Sequence, residues 1–193
     1  MAAGAYDRLL AAVRAAPPSA GESAVVAIDG RAGAGKSTLA ARLARELAVP
    51  VVEMDALYGG WDGLQRGSEL LVDAVLAPLA ESGRAAVPRY DWIAESWGEP
   101  TELSRPPLVI VEGVGAGAPR AAAYTALLVW LELGAAERRR RAIARDGRAL
   151  AEHWEMWARQ EERYLAAADT PSRAGLALDG GALDAPAPDS QPA

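Results

Sequence analysis

The residues Gly30-Arg31-Ala32-Gly33-Ala34-Gly35-Lys36-Ser37-Thr38, GRAGAGKST, follow an apolar run at 24–28 and precede Leu39, Leu43 and Leu47, spaced as on one helix face. Strand, glycine-rich turn and helix arrive in that order, and residues 30–37 satisfy GxxxxGK[ST] at every fixed position. Glycines let the backbone curl so that successive amide N–H groups point at phosphate oxygens, and the following helix adds the positive end of its dipole. Lys36 is placed to reach the terminal phosphates of a nucleoside triphosphate, and the Ser37 hydroxyl suits Mg²⁺. The whole segment 30–38 is therefore read as the nucleotide cradle.

Outward from this segment the chain keeps alternating. A helix is expected over 5–15, with Leu9, Leu10 and Val13 on one side and Pro17 and Pro18 ending it. After the helix at 37–47, residues 51–54 read as a short strand with Asp55 at its carboxyl end. Gly59, Gly60, Gly63 and Gly67 disfavour regular structure, and 69–80 resumes as a helix that aligns Leu71, Val75 and Leu79. A brief strand at 86–88 leads to Tyr90-Asp91-Trp92, after which Pro100, Pro106 and Pro107 frame an irregular region. The plainest strand is 108–111, closed by Glu112 and Gly113. A strand at 126–131 precedes a helix over 135–145, an interruption at Gly147, and 150–168 as a second helix or the far arm of a lid; 176–178 supplies an edge strand.

Strands alternating with helices make a mostly parallel sheet covered on both faces. The expectation is an α/β, three-layer P-loop NTPase fold with a mostly parallel five-stranded sheet and a helical lid. Residues 1–179 form one domain in this reading, with the lid near 138–160; 180–193 is a disordered tail, because Pro186, Pro188 and Pro192 sit among small and polar residues. Ligands gather beyond the carboxyl ends of the strands in such sheets. The cradle, Asp55, Asp91 and Glu112 all follow apolar runs.

Composition narrows the chemistry. The 193 residues contain no cysteine, which excludes disulfides, thiolate catalysis and cysteine-ligated metal; the single histidine, His153, excludes a histidine cluster. Any metal should be an oxygen-liganded, phosphate-associated ion such as Mg²⁺. A net charge of −6 argues against a nucleic-acid surface. No apolar run reaches the ~18 residues of a membrane span, and the first residues lack the long apolar core of a signal peptide. A cytoplasmic monomer or homodimer acting on a small molecule is expected.

Asp55 is placed either to accept a proton from an acceptor hydroxyl or to help hold Mg²⁺, and Glu112 to contact the metal directly or through water together with Ser37. Residues 138–141 are an unbroken arginine run, and Arg138, Arg141 and Arg145 fall on one helix side, where their guanidinium forks match a phosphoryl group. Tyr58, Trp61, Tyr90, Asp91 and Trp92 make a pocket able to stack a flat ring and accept hydrogen bonds from its hydroxyls. Trp154 and Trp157 share a helix face and read as packing, and His153 as a surface or supporting residue.

These motifs resemble those of the phosphoribulokinase and uridine kinase family of P-loop kinases, and more loosely those of nucleoside monophosphate kinases. The likeness is carried by GRAGAGKST, Asp55-Ala56-Leu57-Tyr58, Tyr90-Asp91, Glu112-Gly113 and the arginine-rich segment ending Arg145-Asp146. The resemblance implies an ATP-dependent kinase using Mg²⁺. In it Asp55 is the base beside the metal, Tyr58 lies on the substrate side, Tyr90 and Asp91 contact a sugar, Glu112 binds metal, and Arg141 and Arg145 are lid arginines. Leu57 stands where the family has phenylalanine, and Trp92 where a histidine commonly follows the sugar-binding aspartate. The leading expectation is phosphoryl transfer from ATP to a hydroxyl of a nucleoside or similar metabolite. A nucleoside monophosphate kinase stays open, with a second basic cluster drawn from Arg66, Arg84, Arg89 and Arg105. So do a sugar or shikimate-like kinase and a non-catalytic nucleotide-binding regulator. Residues 173–175 are read as framing the donor base.

Overall fold

The computed structural model describes residues 4–181; the expected tail lies, from 182 on, outside the described residues. The chain begins with α1 (Ala5–Arg14) and enters β1 (Ala24–Asp29), buried along its whole length. The P-loop turns into α2 (Lys36–Leu47), and β2 (Val51–Glu53) ends in a 3₁₀ turn (Met54–Ala56) that carries Asp55. Next, α3 (Leu64–Leu70) runs through a π-helical segment (Leu71–Leu76) into α4 (Ala77–Ser82). Four short strands follow: β3 (Arg84–Val87), β4 (Tyr90–Asp91), β5 (Ser96–Trp97) and β6 (Thr101–Ser104). The chain then forms β7 (Leu108–Glu112), β8 (Leu127–Glu132), the long α5 (Ala135–Ala168), α6 (Thr170–Arg173) and β9 (Leu176–Asp179).

The central sheet has the order β2-β7-β1-β8-β9, and every pair in it is parallel. Because side chains alternate across a strand, β1 feeds two cores. Val25 and Ala27 meet Val109 and Val111 under Leu71, Val75 and Leu79. Val26 and Ile28 meet Ile110 and Val129 under Leu9 and Val13 of α1 and Leu39 and Leu43 of α2. The result is the expected three-layer α/β arrangement, with the loops after β1, β2 and β7 opening at one end.

Three stretches depart from the sequence reading. The third helix begins at Leu64 rather than 69 and takes in Gly67, since a Cβ at that position would press into the Tyr58 ring at 2.6 Å. Glycine there is a packing residue, not a breaker. The stretch read as one brief strand and an irregular region holds two small antiparallel pairs, β3 with β6 and β4 with β5. Ala85, Val87 and Leu103 turn inward on the first pair, too few to register as alternation. Gly180, assigned to the tail, is buried and donates its N–H to Glu132 O at 2.8 Å, so the sheet edge extends one residue further.

The long α5 is two helical arms that meet at the interruption expected from the sequence, where Gly147 sits at φ 68 and ψ −146. Residues 173–175 lie at the amino end of β9. Gly180, at the other end of that strand, packs against the carbonyl of Ala34 in the P-loop. Residues 173–175 are therefore at the wrong end of the sheet to frame a donor base, and the Arg173 guanidinium instead bonds backbone carbonyls of Ala168 and Gly117.

Candidate active site

The cradle is built against its neighbours. Gly30 leaves β1 with φ 152, and a Cβ there would overlap the carbonyl of Leu131; Gly33, at φ 80, stands in the same relation to the carbonyl of Arg138. Only glycine permits both the backbone angle and the approach. Lys36 is 7 % exposed and folds back over the loop, its Nζ donating to Arg31 O at 3.1 Å. The Ser37 hydroxyl lies close to the Glu112 carboxylate, and Thr38 follows, exposed, in the first turn of α2.

Asp29, the last residue of β1, is fully buried. Its Oδ1 accepts the N–H of Gly30 at 2.7 Å and of Gly115 at 3.1 Å, and its Oδ2 accepts that of Gly117 at 2.9 Å. Burial pushes its pKa up, and the amides and Lys36 pull it back. Asp29 thus ties the turn after β7 to the base of the P-loop, beside Glu112.

A cavity of about 580 Å³ opens here, lined on one side by Ala32, Gly33, Gly35, Lys36 and Ser37. Glu53, Asp55 and Glu112 line its floor, and Tyr58, Trp61, Trp92 and Trp157 form the opposite wall. Asp55 meets solvent through the cavity but is walled by protein on its other sides. Desolvation raises its pKa, with Lys36 and Arg145 opposing. Trp92 Nε1 donates to the backbone carbonyl of Asp55 at 2.9 Å, fastening the β4–β5 hairpin beside that carboxylate. Trp61 joins the wall from both directions, stacked flat on His153 at 4.4 Å and tilted against Trp92 at 4.9 Å.

The cavity therefore brings together Asp55, Glu112, Lys36, Ser37, Trp61, Trp92 and Arg145, and leaves other expected residues aside. Asp91 is exposed and outside the lining; its Oδ1 accepts the N–H groups of Ile93 and Ala94 at 2.8 and 2.9 Å, closing the hairpin turn. Those bonds lower its pKa. A carboxylate used this way is local turn chemistry, so the sugar-contacting role expected of it has no geometric support. Tyr90 is likewise off the lining and supports Trp92 edge-on at 5.4 Å. Tyr58 reaches the cavity with its ring only, because its hydroxyl is committed to Val114 O at 2.7 Å and Trp157 covers it at 5.1 Å.

The arginines divide similarly. Arg145 lines the cavity with its fork on Asp146, two bonds of 2.7 Å. Arg141 is off the lining and holds Glu137 at 2.7 Å. The arginine that meets the P-loop is Arg138, 8 % exposed, whose Nη1 donates to Ala32 O at 3.1 Å. Beside it lies Glu161, 1 % exposed, accepting the Ala32 N–H at 2.5 Å. Asp29, Glu53 and Glu161 escaped the sequence reading. For Glu161 a signal existed: it falls on the buried stripe of α5 with Leu150, Trp154, Trp157, Leu165 and Ala168, a carboxylate at an apolar position.

The floor carries surplus negative charge. Burial pushes the Glu112 carboxyl up to about 7 against Lys36, with Asp55 and Glu53 adding to the rise and the Ser37 hydroxyl opposing it. The folded chain therefore holds a proton that the unfolded chain has released between pH 4.5 and about 7. This contribution to stability is fully present below the lower value and lost as pH rises through the upper. Glu112→Gln, which cannot ionise, should melt higher than the unsubstituted chain at pH 8 by roughly 9 °C, for about 3 kcal/mol relieved. The difference should close toward pH 5 in melts run with chelator and no nucleotide. A gap that ignores pH would acquit the buried charge.

No protein-family model and no curated protein matches the sequence. Solved structures match through the fold. A possible uridine kinase from Bacillus stearothermophilus superposes with a TM-score of 0.67 at 20 % identity, over 91 % of this chain and 97 % of the other. A candidate fructose transport system kinase from Silicibacter sp. TM1040 gives 0.58 at 23 % identity, over 90 % and 98 %. The YGR205w protein gives 0.57 at 10 % identity, over 94 % and 96 %. The chain thus has the P-loop α/β fold that these proteins share.

Proposed function

We propose that this protein is an ATP-dependent small-molecule kinase that moves the γ-phosphoryl group to an acceptor hydroxyl. One observation carries the reading: a single cavity in which Lys36 and Ser37 of the P-loop face Asp55 and Glu112, with an aromatic wall beside them. The uridine kinase and fructose transport kinase descriptions of similarly folded proteins agree with it.

Charge favours a hydroxyl over a phosphate as acceptor. The cations on the lining are Lys36 and Arg145, against Glu53, Asp55, Glu112 and Asp146. The arginines needed for a second phosphate site are elsewhere: Arg66 pairs with Glu69 and Arg84 with Glu102, each at 3.1 Å, and neither these nor Arg89 and Arg105 line the cavity. An acceptor phosphate would enter a negative field, whereas an uncharged flat alcohol meets tryptophan faces.

In this mechanism the P-loop amides and Lys36 hold the ATP phosphates, and Asp55 orients the acceptor hydroxyl and takes its proton. The acceptor oxygen bonds the γ-phosphorus as the bond to the β,γ-bridging oxygen breaks, and Arg145 faces the transferred charge. The floor fits a bound Mg²⁺: Ser37 and Glu112 offer oxygens, and a cation there would offset the burial that chiefly raises the Glu112 pKa. Among the described residues no group of three or more His, Cys, Asp or Glu is arranged to hold a metal alone, as suits an ion shared with phosphates. Mg²⁺, when bound, supplies charge neutralisation. The arm near 138–160 serves as the lid, and the cytoplasm is where such an enzyme would find its ATP.

The test is acceptor-dependent ADP formation across nucleosides, nucleoside monophosphates, sugars and shikimate-like alcohols, with free phosphate followed separately. Turnover is expected with uncharged hydroxyl acceptors and not with monophosphates. Turnover confined to monophosphates would overturn the hydroxyl reading, and nucleotide binding without any acceptor-dependent ADP would favour a regulator.

A further inference from the structure

Glu161 lies on the far arm of α5, 129 residues after Ala32, yet its Oε1 accepts the Ala32 N–H inside the P-loop at 2.5 Å. Its Oε2 stands 3.8 Å from the Arg31 guanidinium and 3.9 Å from that of Arg138. Arg138, on the first arm of the same helix, takes the other backbone polar group of Ala32, donating from Nη1 to Ala32 O at 3.1 Å and from Nε to Leu133 O at 2.9 Å. Both backbone groups of Ala32 are thus held by α5, one from each side of the Gly147 interruption. A carboxylate this buried is retained only when paired and bonded, and here every contact serves the donor loop or the arginines against it. Gln160, next along the arm, donates to Trp61 O at 2.9 Å and accepts from the Leu64 N–H at 3.3 Å. One turn of α5 therefore grips the phosphate cradle and the aromatic wall together.

We propose that Glu161 is a positioning residue of the nucleotide site: by fixing the Ala32 peptide it sets the curvature of the loop on which ATP affinity depends, and it couples the far arm of α5 to the presence of nucleotide. The inference rests on the P-loop as the ATP site and is independent of the acceptor. Without the carboxylate, the part-buried Ala32 N–H loses its partner and Arg138 loses its counter-charge.

The experiment is calorimetric titration of the full chain with ATP and MgCl₂, with thermal melts in parallel. Glu161→Ala should weaken ATP binding about tenfold, the size expected when a buried donor is left unmade. Glu161→Gln keeps an oxygen for the Ala32 N–H and should restore affinity to within about threefold, even where its melting temperature falls as far as that of the alanine variant. An unchanged affinity in Glu161→Ala, or equal losses in both variants, overturns the proposal. Should Glu161→Ala fail to fold, hydrogen exchange on the unsubstituted chain decides: ATP must slow exchange around Glu161 as well as in 30–38, and slowing confined to the loop overturns it. An unsubstituted chain that binds no ATP sinks the donor-site reading and this proposal with it, whereas ATP binding by the unsubstituted chain that Glu161→Ala leaves unchanged sinks this proposal alone.

Discussion

Asp55→Asn should leave ATP binding nearly unchanged and slow phosphoryl transfer by about 10²-fold or more, the usual cost of losing a positioned general base. The substitution is clean because the structural duty at this position belongs to the backbone: Trp92 bonds the Asp55 carbonyl, not its carboxylate. The hairpin and the aromatic wall should therefore stay in place. The Asp55 carboxylate opens onto the cavity and asparagine has nearly the same shape, so the substitution should not lower stability. Its raised pKa suits a base, since it strengthens proton affinity toward the working pH. The two roles open to this carboxylate separate by titration with Mg²⁺. A base loss is insensitive to the ion, whereas transfer that recovers at high Mg²⁺ would reassign Asp55 to metal binding. Unimpaired transfer at every Mg²⁺ concentration would remove Asp55 from the chemistry.

How far the sequence could be read depended on where each residue finds its partner. The 108–111 and 24–28 runs were legible because a parallel strand covered on both faces must be apolar throughout, and β1 and β7 are the strands that flank the P-loop. Lys36, Ser37 and Glu112 were legible because their partners follow the same strand ends. Asp91 misled for a physical reason. A carboxylate after a strand looks the same whether it faces a substrate or captures two amides of its own turn, and here the local bonds to Ile93 and Ala94 won. The two-residue strands β4 and β5 are too short for a period to register. Asp29 and Glu161 depend on contacts 86 and 129 residues away, which no local window contains. The arginine run showed that α5 would carry positive charge near the loop. Which arginine arrives is settled by the rotation of the helix, and it puts Arg138, not Arg141, against Ala32.

Lys36→Ala should lower kcat/KM by about 10²- to 10³-fold, the range seen when one preorganised charge donor is removed from a transferring group. The residue is the only lysine in the sequence, and it is the cation shared by the acidic groups of the site. Its charge opposes the raised pKa of Asp29, Asp55, Glu112 and Glu161 alike. Removing it therefore does two things at once. The terminal phosphates lose their point charge, and four carboxylates lose the positive field that helps keep them ionised. The variant should fold, since alanine favours the first turn of α2, but it should be less stable than the unsubstituted chain above neutral pH, with the gap narrowing as those carboxylates take up protons. Because no other side-chain ammonium exists, acylation by an amine reagent can be read at this one position by peptide mass. ATP with Mg²⁺ should protect it in the unsubstituted chain. Unprotected acylation, or full ATP turnover by Lys36→Ala, would contradict the cradle assignment, since both the folded-back Nζ over Arg31 and the carboxylates beneath it make this amine the phosphates' nearest charge.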